Sequence, residues 1–427
     1  MALSAELIPN LNEVKKMKHI IILGDGMADE PIEELGGKTP LQAAHTPSMD
    51  WIARNGRCGL LKSVPEDYAP GSEVANLAIL GYDLDKVFEG RGSLEAASMG
   101  VKIDDNEVAM RCNLICVENG KIKNHSAGHI SNEEATELIN YMQEELGGGD
   151  INLFPGISYR HLLKIKGGDK RVICTPPHDV PGTPCADVMV KAQVEEAQAT
   201  ADKINSLILK SQELLPLHPV NIKRVSEGKD PANSLWPWSP GYRPAMKTFQ
   251  EQYGIKSGAV ISAVDLIKGI GVYAGLTSIE VEGATGLYNT NYEGKAEAAI
   301  AALRENDFLF LHVEASDEAG HEGDYELKKR TIEYLDSRII APILEAMPTL
   351  GDDLTIALLP DHPTPCRLRT HTRDAVPFAI YTPGVEPDDV TEYNEFSVKQ
   401  GSYTTLTGEQ FIKEIREELK GFAKGAE

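Results

Sequence analysis

Three short apolar runs, far apart in the chain, each lead into an aspartate. His19-Ile-Ile-Ile-Leu23 precedes Gly24-Asp25, Phe308-Leu-Phe-Leu311 precedes Asp317, and Leu354-Thr-Ile-Ala-Leu-Leu359 precedes Asp361. Runs of this kind read as strands buried on both faces, the habit of a parallel sheet covered by helices. In an open α/β sheet the carboxyl ends of the strands form one crevice, so the three aspartates are expected at one place although most of the chain separates them. Histidines fall beside them. His321 follows Asp317 by one helical turn, His362 directly follows Asp361, and His371 lies in the polar stretch 367–373. Ser72 stands in the break Pro70-Gly71-Ser72, ahead of a run at 73–80 that reads as helix.

Each of these residues has an ordinary reading when taken singly. Asp25 beside glycines suits a turn, Ser72 suits a helix cap, and Asp317 with His321 suits a surface pair. Taken together, Asp25, Ser72, Asp317, His321, Asp361, His362 and His371 supply carboxylates and imidazoles for two divalent ions, and one hydroxyl that such an ion can activate.

Length and composition set the frame. A chain of 427 residues is expected to form about two domains. Its formal charge of −23 argues against nucleic acid or an anionic membrane as partner, since both select for an excess of Lys and Arg. The six cysteines include no Cys-x-x-Cys pair, no stretch approaches the roughly 20 apolar residues of a membrane span, and residues 1–16 lack the apolar core of a signal peptide. The expectation is reduced thiols in a cytoplasm, with 1–16 a dispensable extension.

The pattern along the chain is interrupted. A helical stretch at 41–56 and a strand at 58–64 precede Ser72. From about residue 101 the character changes: a strand at 108–117, a helix at 133–146 stopped by Gly147, strands at 159–165 and 171–174, a long polar helix at 186–214, and a Pro/Trp-rich loop at 236–244. Ala259-Val-Ile-Ser262 then restores the strand and helix alternation. The expected architecture is α/β, a mostly parallel sheet flanked by helices formed by 17–100 and 245–423, with an inserted smaller α+β domain at 101–244.

The order Asp25, Ser72 within Pro-Gly-Ser-Glu-Val-Ala-Asn-Leu-Ala-Ile-Leu-Gly-Tyr-Asp, Asp317-x-x-x-His321, Asp361-His362 and His371 resembles the cofactor-independent phosphoglycerate mutases of the alkaline phosphatase superfamily, archaeal-type branch. The likeness extends to 17–33, Gly90-Arg-Gly-Ser-Leu-Glu-Ala-Ala97, Pro176-Pro-His-Asp179, 258–271, Asn291-Tyr-Glu-Gly-Lys295 and 313–323. It implies an alkaline-phosphatase-like sheet and two divalent metal ions, Mn²⁺ or a similar ion such as Zn²⁺, Mg²⁺ or Co²⁺. Asp25, Ser72, Asp361 and His362 would hold one, and Asp317, His321 and His371 the other. It also implies a small phosphorylated substrate: Ser72 takes the phosphoryl group of 3-phosphoglycerate and returns it to the 2-hydroxyl, without diffusible 2,3-bisphosphoglycerate. The insert, as substrate-binding lid, would keep water from the phosphoserine. Substrate contacts implied by the likeness are His129, Arg160, His178, Asp179, Arg243 and Lys295, with His125 competing with His129 in Asn124-His-Ser-Ala-Gly-His129.

Neighbouring activities share that core. Phosphoryl transfer to homoserine and plain phosphomonoester hydrolysis remain open, and the departures at 176–184 and 236–244 bear on substrate identity. A sulfatase would need Cys-x-Pro-x-Arg, which is absent around Ser72. Gly37-Lys38-Thr39 mimics the end of a P-loop, but Ile32 stands where its leading glycine belongs.

Overall fold

The computed structural model describes residues Met17–Ala423, so the expected extension at 1–16 lies outside the described residues. The chain forms two compact units. The first comprises the residues up to Gly81, Phe249–Ala263 and those from Ile279 onward; the second comprises Tyr82–Thr248 and Val264–Ser278.

The first unit is built on strands β1 (Met17–Gly24), β2 (Arg57–Lys62), β3 (Gly258–Ile261), β4 (Phe308–Val313), β5 (Asp353–Leu359), β6 (Val376–Tyr381) and β7 (Thr405–Thr407). They lie in the order β3-β4-β1-β5-β6-β2-β7. β3, β4, β1 and β5 run parallel, β6 is antiparallel to both its neighbours, and β7 is parallel to β2. The apolar runs explain this order. Ile20 to Leu23 in β1 are wholly buried, which only a central strand covered on both faces achieves. One face packs Ile20, Ile22, Leu309, Leu311, Ile356 and Leu358 against Met49, Ile52, Leu303 and Ile332. Burying each such side chain contributes about 1.5–3 kcal/mol. The register sets Leu23 level with His312 and Leu359, and Gly24 level with Val313, so the chain leaves β1, β4 and β5 at one edge. The expected helix at 41–56 is two helices, Pro40–Ala43 and Pro47–Asn55. Pro47 cannot continue a helix begun before it but suits the first turn of a new one.

The second unit is α+β. Its strand Glu107–Glu118 pairs antiparallel with Arg160–Lys166, Lys121–Asn124 and Ser234–Gly241, and Ile151–Ile157 pairs with Arg160–Lys166. Helices Asn132–Leu146 and Gln198–Leu214 cover Met110, Leu114, Leu163 and Trp236. Two local expectations are corrected. The long helix starts at Gln198, not 186, because the Asn205 side chain bonds both the N–H and the C=O of Val190 and holds that approach extended. The expected loop at 236–244 is mostly strand, Ser234–Gly241. Its prolines are tolerated because it pairs with a single neighbour, Pro237 lying opposite Cys112. The unit begins at Tyr82 and includes helix Arg91–Ser98, ahead of the expected boundary at 101. Gly92 lies so close to Met110 and Arg111 that an added Cβ would come within 2.5 Å of the Met110 backbone. None of the described helices is long and apolar enough to cross a membrane.

Candidate metal centre

The strand ends and three helices of the first unit, α1 (Ser72–Ile79), α2 (Tyr292–Glu305) and α3 (Ala315–Glu322), deliver the side chains of interest. Asp25 leaves β1 with its N–H donating to Val313 O at 2.9 Å and its C=O accepting from Ser316 Oγ. Gly26 then turns with φ +60°, and a Cβ there would sit 2.5 Å from Asp317 Oδ1, so only glycine admits this approach. Its N–H donates to Asp361 Oδ1 at 3.1 Å. Asp317 and His321 share a face of α3, while Asp361 and His362 follow β5. Asn76 of α1 donates to Asp361 Oδ2 at 3.0 Å.

The structure thus brings together all seven residues singled out in the sequence. Asp317 lies 3.2 Å from His321 Nε2 and 3.5 Å from His371 Nε2, and these two nitrogens are 2.9 Å apart. His362 Nε2 lies 3.4 Å from Asp361 Oδ2, 3.8 Å from Asp25 Oδ1 and 3.2 Å from Ser72 Oγ. Ser72 opens α1, but Gly71 occupies the capping position. The hydroxyl is therefore turned to the centre rather than spent on the helix end.

Charge in this cluster is unbalanced. Burial, and then the carboxylates of Asp361, Asp317 and Glu314, push Asp25 well above the usual carboxylate range. Burial, with Glu318, Asp317 and Asp361, pushes Glu314 up to about 8 despite Lys295. Burial acts against ionised Asp317 too, but hydrogen bonds from His321 and His371 hold it well below the usual range. Its bond raises His321 to about 9. Burial opposes the charge on His371, and Asp317 raises it nonetheless.

The residues fit divalent cations. Asp25 Oδ1 is buried without a hydrogen-bond partner, which is costly unless a cation meets it. The three candidate histidines are aimed alike: His321 Nδ1 sits 3.0 Å from Arg369 O, His371 Nδ1 3.4 Å from Pro70 O, and His362 Nδ1 3.4 Å from Thr364 Oγ1, itself a donor to Asp317. An acceptor at Nδ1 fixes the hydrogen there and leaves the Nε2 lone pair pointing inward, the usual arrangement behind a metal-bound imidazole. Without a cation, the Nε2 positions of His321 and His371 instead carry the hydrogens that bond Asp317, and a divalent cation would take their place. Arg369 adopts φ +56° to present its carbonyl, and strain of that kind collects at functional sites. The donors are all oxygen and imidazole nitrogen, which suits Mn²⁺, Zn²⁺, Mg²⁺ or Co²⁺ rather than a soft ion.

Sequence reasoning missed four neighbours: His312, Glu314, Asn76 and Thr364. Oxygens of Glu314 lie with those of Asp25 and Asp317, and His312 with Asp25 and Asp361, all within 4.8 Å. The signal for His312 was its place inside an otherwise apolar strand, and for Glu314 its place just past that strand's end.

Of the expected substrate contacts, Lys295 alone belongs to this unit. Its buried ammonium donates to Thr285 O at 3.3 Å, and burial lowers it to about 8. The second unit gathers most of the others. His125 lies 5.6 Å from the Tyr159 ring and 6.0 Å from His178, His129 lies 6.4 Å from Tyr159, and Arg160 sits over that ring at 5.6 Å. His178 is 3.6 Å from Asp179 and 5.3 Å from Trp238, on which Arg111 also stacks at 5.1 Å. Arg243 is close enough to Tyr273 for its charge to act on that hydroxyl.

Comparison with known proteins gives the family. A family profile described as 2,3-bisphosphoglycerate-independent phosphoglycerate mutase matches residues 53–221. The chain is 56% identical over 399 residues to the protein of that name from Methanosarcina acetivorans, across 93% of this chain and 98% of that one. It is 47% identical over 397 residues to a probable enzyme of that name from Geobacter sulfurreducens, across 92% and 98%. Among solved structures, a protein from Pyrococcus horikoshii matches with TM-score 0.80 and 31% identity over 95% of this chain and 98% of that one. The cofactor-independent phosphoglycerate mutase of Thermoplasma acidophilum matches with TM-score 0.66 and 26% identity over 95% and 100%. With identity at this level across nearly the full length of both chains, the chain belongs to the 2,3-bisphosphoglycerate-independent phosphoglycerate mutases, an isomerase family, in their archaeal-type branch.

Proposed function

We propose that this mutase interconverts 3-phosphoglycerate and 2-phosphoglycerate, a glycolytic and gluconeogenic step, by way of a phosphoryl group carried on Ser72. The observation that carries the reading is the position of Ser72 Oγ, at the start of α1 and 3.2 Å from Nε2 of His362, which itself clusters with Asp317 and His371. Asp25, Asp361 and His362, with Ser72, would hold one divalent cation, and Asp317, His321 and His371 the other. When bound, such cations lower the pKa of a coordinated hydroxyl and offset charge on a phosphoryl group. The rest is work for the chain. Ser72 Oγ, its proton passed to solvent or a nearby base, attacks phosphorus as the bond to the substrate's 3-oxygen breaks, and that oxygen takes up a proton. The glycerate turns within the site, its 2-hydroxyl loses its proton to solvent or a nearby base and attacks the same phosphorus, and the bond to Oγ breaks as Oγ regains a proton. The N–H groups that open α1 favour an anionic group there. Lys295, next to Glu314, adds positive charge. Arg160, His178, Asp179 and His125 or His129 of the second unit are assigned to the glycerate, whose carboxylate and hydroxyls need donors and acceptors of this kind.

The test is to incubate Mn²⁺-loaded protein with 3-phosphoglycerate and, separately, with ATP and homoserine. Conversion of the first to 2-phosphoglycerate, lost in excess chelator, restored by Mn²⁺ and indifferent to added 2,3-bisphosphoglycerate, is the expected outcome. Phosphohomoserine in the second arm, or only inorganic phosphate in the first, would replace it with one of the neighbouring activities.

A further inference from the structure

We propose that His312 is a positioning residue for this centre: backed by Ser262, it ties down Oδ2 of Asp25 so that Oδ1 is the atom offered to a cation. The inference rests on the reading that the cluster holds divalent cations, and it adds a residue pair to which that reading gives no role. His312 interrupts a strand whose other residues are apolar, Phe308–Val313, and is 1% exposed. A buried imidazole is tolerated there only if its nitrogens are bonded. Both are. Nδ1 lies 3.0 Å from Ser262 Oγ, just past the end of β3, and Nε2 lies 2.9 Å from Asp25 Oδ2. A carboxylate oxygen only accepts, so an ionised Asp25 requires the hydrogen on Nε2, and Nδ1 then accepts from the Ser262 hydroxyl. This is the reverse of His321, His362 and His371, whose Nδ1 atoms face oxygen acceptors and whose Nε2 atoms face the centre. His312 therefore has no lone pair to give a cation, although it lies within ligand range of Asp25 and Asp361. Its effect is on Asp25. The backbone of Asp25 is already fixed at both ends by Val313 and Ser316, and with Oδ2 held by His312 the carboxylate cannot rotate. The oxygen left over is Oδ1, buried and unpartnered.

The experiment is calorimetric titration of Mn²⁺ into the chelator-stripped full chain. His312→Ala should weaken one of the two cations by roughly ten- to a hundredfold, the usual effect of losing a hydrogen bond behind a metal ligand, and leave the other unchanged. His312→Gln, whose amide can donate from near the Nε2 position, should recover most of that loss. Ser262→Ala, which removes only the hydroxyl fixing the tautomer, should weaken the same cation to a smaller degree. Wild-type affinity in His312→Ala overturns the proposal. So does a His312→Gln variant as weak as His312→Ala, which would make the ring itself a ligand. If His312→Ala does not fold, unchanged affinity in Ser262→Ala is decisive against it. A wild-type protein that takes up no Mn²⁺ would instead sink the metal reading, a result distinct from all of these.

Discussion

Replacing Asp25 by asparagine should make the metal-free protein more stable and the metal-loaded protein less so. Oxygens of Asp25, Glu314 and Asp317 lie within 4.8 Å of one another, and Asp361 lies close to Asp25 as well. Two unit charges at about that distance repel by ~3 kcal/mol at an effective dielectric constant near 20. Protonation caps the penalty, because a carboxyl with a raised pKa takes up a proton at ~1.4 kcal/mol per pH unit instead. Asparagine keeps an oxygen for His312 and removes the charge, so at pH 8 in chelator the variant should gain ~1–3 kcal/mol, a rise of several degrees in Tm for a unit of this size. Excess Mn²⁺ should reverse the order. At a thousand times Kd a bound cation adds ~4 kcal/mol to the wild type, and most of this should vanish in the variant. The pH trend supplies a second readout. Glu314 is raised to about 8 and His321 to about 9, so the folded state binds more protons than the unfolded state above pH 6.5. The stability Glu314 contributes is present below pH 4.5 and lost as pH climbs to 8, and that of His321 is lost between 6.5 and 9. Differential scanning fluorimetry of both proteins, with EDTA and with Mn²⁺, across that range measures all of this. A variant that melts below wild type in EDTA, or that keeps the full Mn²⁺ shift, would refute the reasoning.

Three further outcomes are expected. Ser72→Ala should abolish isomerisation while retaining the fold and most cation affinity, and labelled substrate should leave its phosphate on Ser72 of the wild type; label on a histidine would rule out the serine route. Arg160→Ala should slow isomerisation and raise the ratio of inorganic phosphate to 2-phosphoglycerate, with Ser72 still phosphorylated, and wild-type rates with no added phosphate would remove the second unit from substrate handling. His19 is buried and, chiefly for that reason, lowered to about 4. The unfolded chain therefore takes up its proton first, and the wild type should lose ~3 kcal/mol relative to His19→Gln as pH falls from 6.5 to 4. Urea unfolding at several pH values checks this, and a constant gap between the two proteins would contradict it.

Much of the first unit was legible because its central strands must be apolar on both faces. That demand writes continuous runs into the sequence, and a polar residue just past such a run stands out, as Asp25 and Asp361 do. Asp317 and His321 were legible because one helical turn separates them. What escaped depends on who packs against whom. Helix Arg91–Ser98 carries no mark of belonging with the strand Glu107–Glu118; the close approach at Gly92 and the ion pair of Arg111 with Glu95 show it. The prolines of Ser234–Gly241 argue for a loop until that segment is seen to pair along one side only. His129 adopts φ +54° and Ser158 φ +54°, so the ring cluster around Tyr159 is set by loop geometry that no periodicity encodes. His312 is the most instructive case. The rule that made β4 readable, that a doubly covered strand is apolar, made its histidine look like noise. A buried polar group in such a strand must be satisfied by its neighbours or selected for a task. Here the first holds, since Ser262 and Asp25 satisfy it, and the proposed task is to leave Oδ1 of Asp25 for a cation.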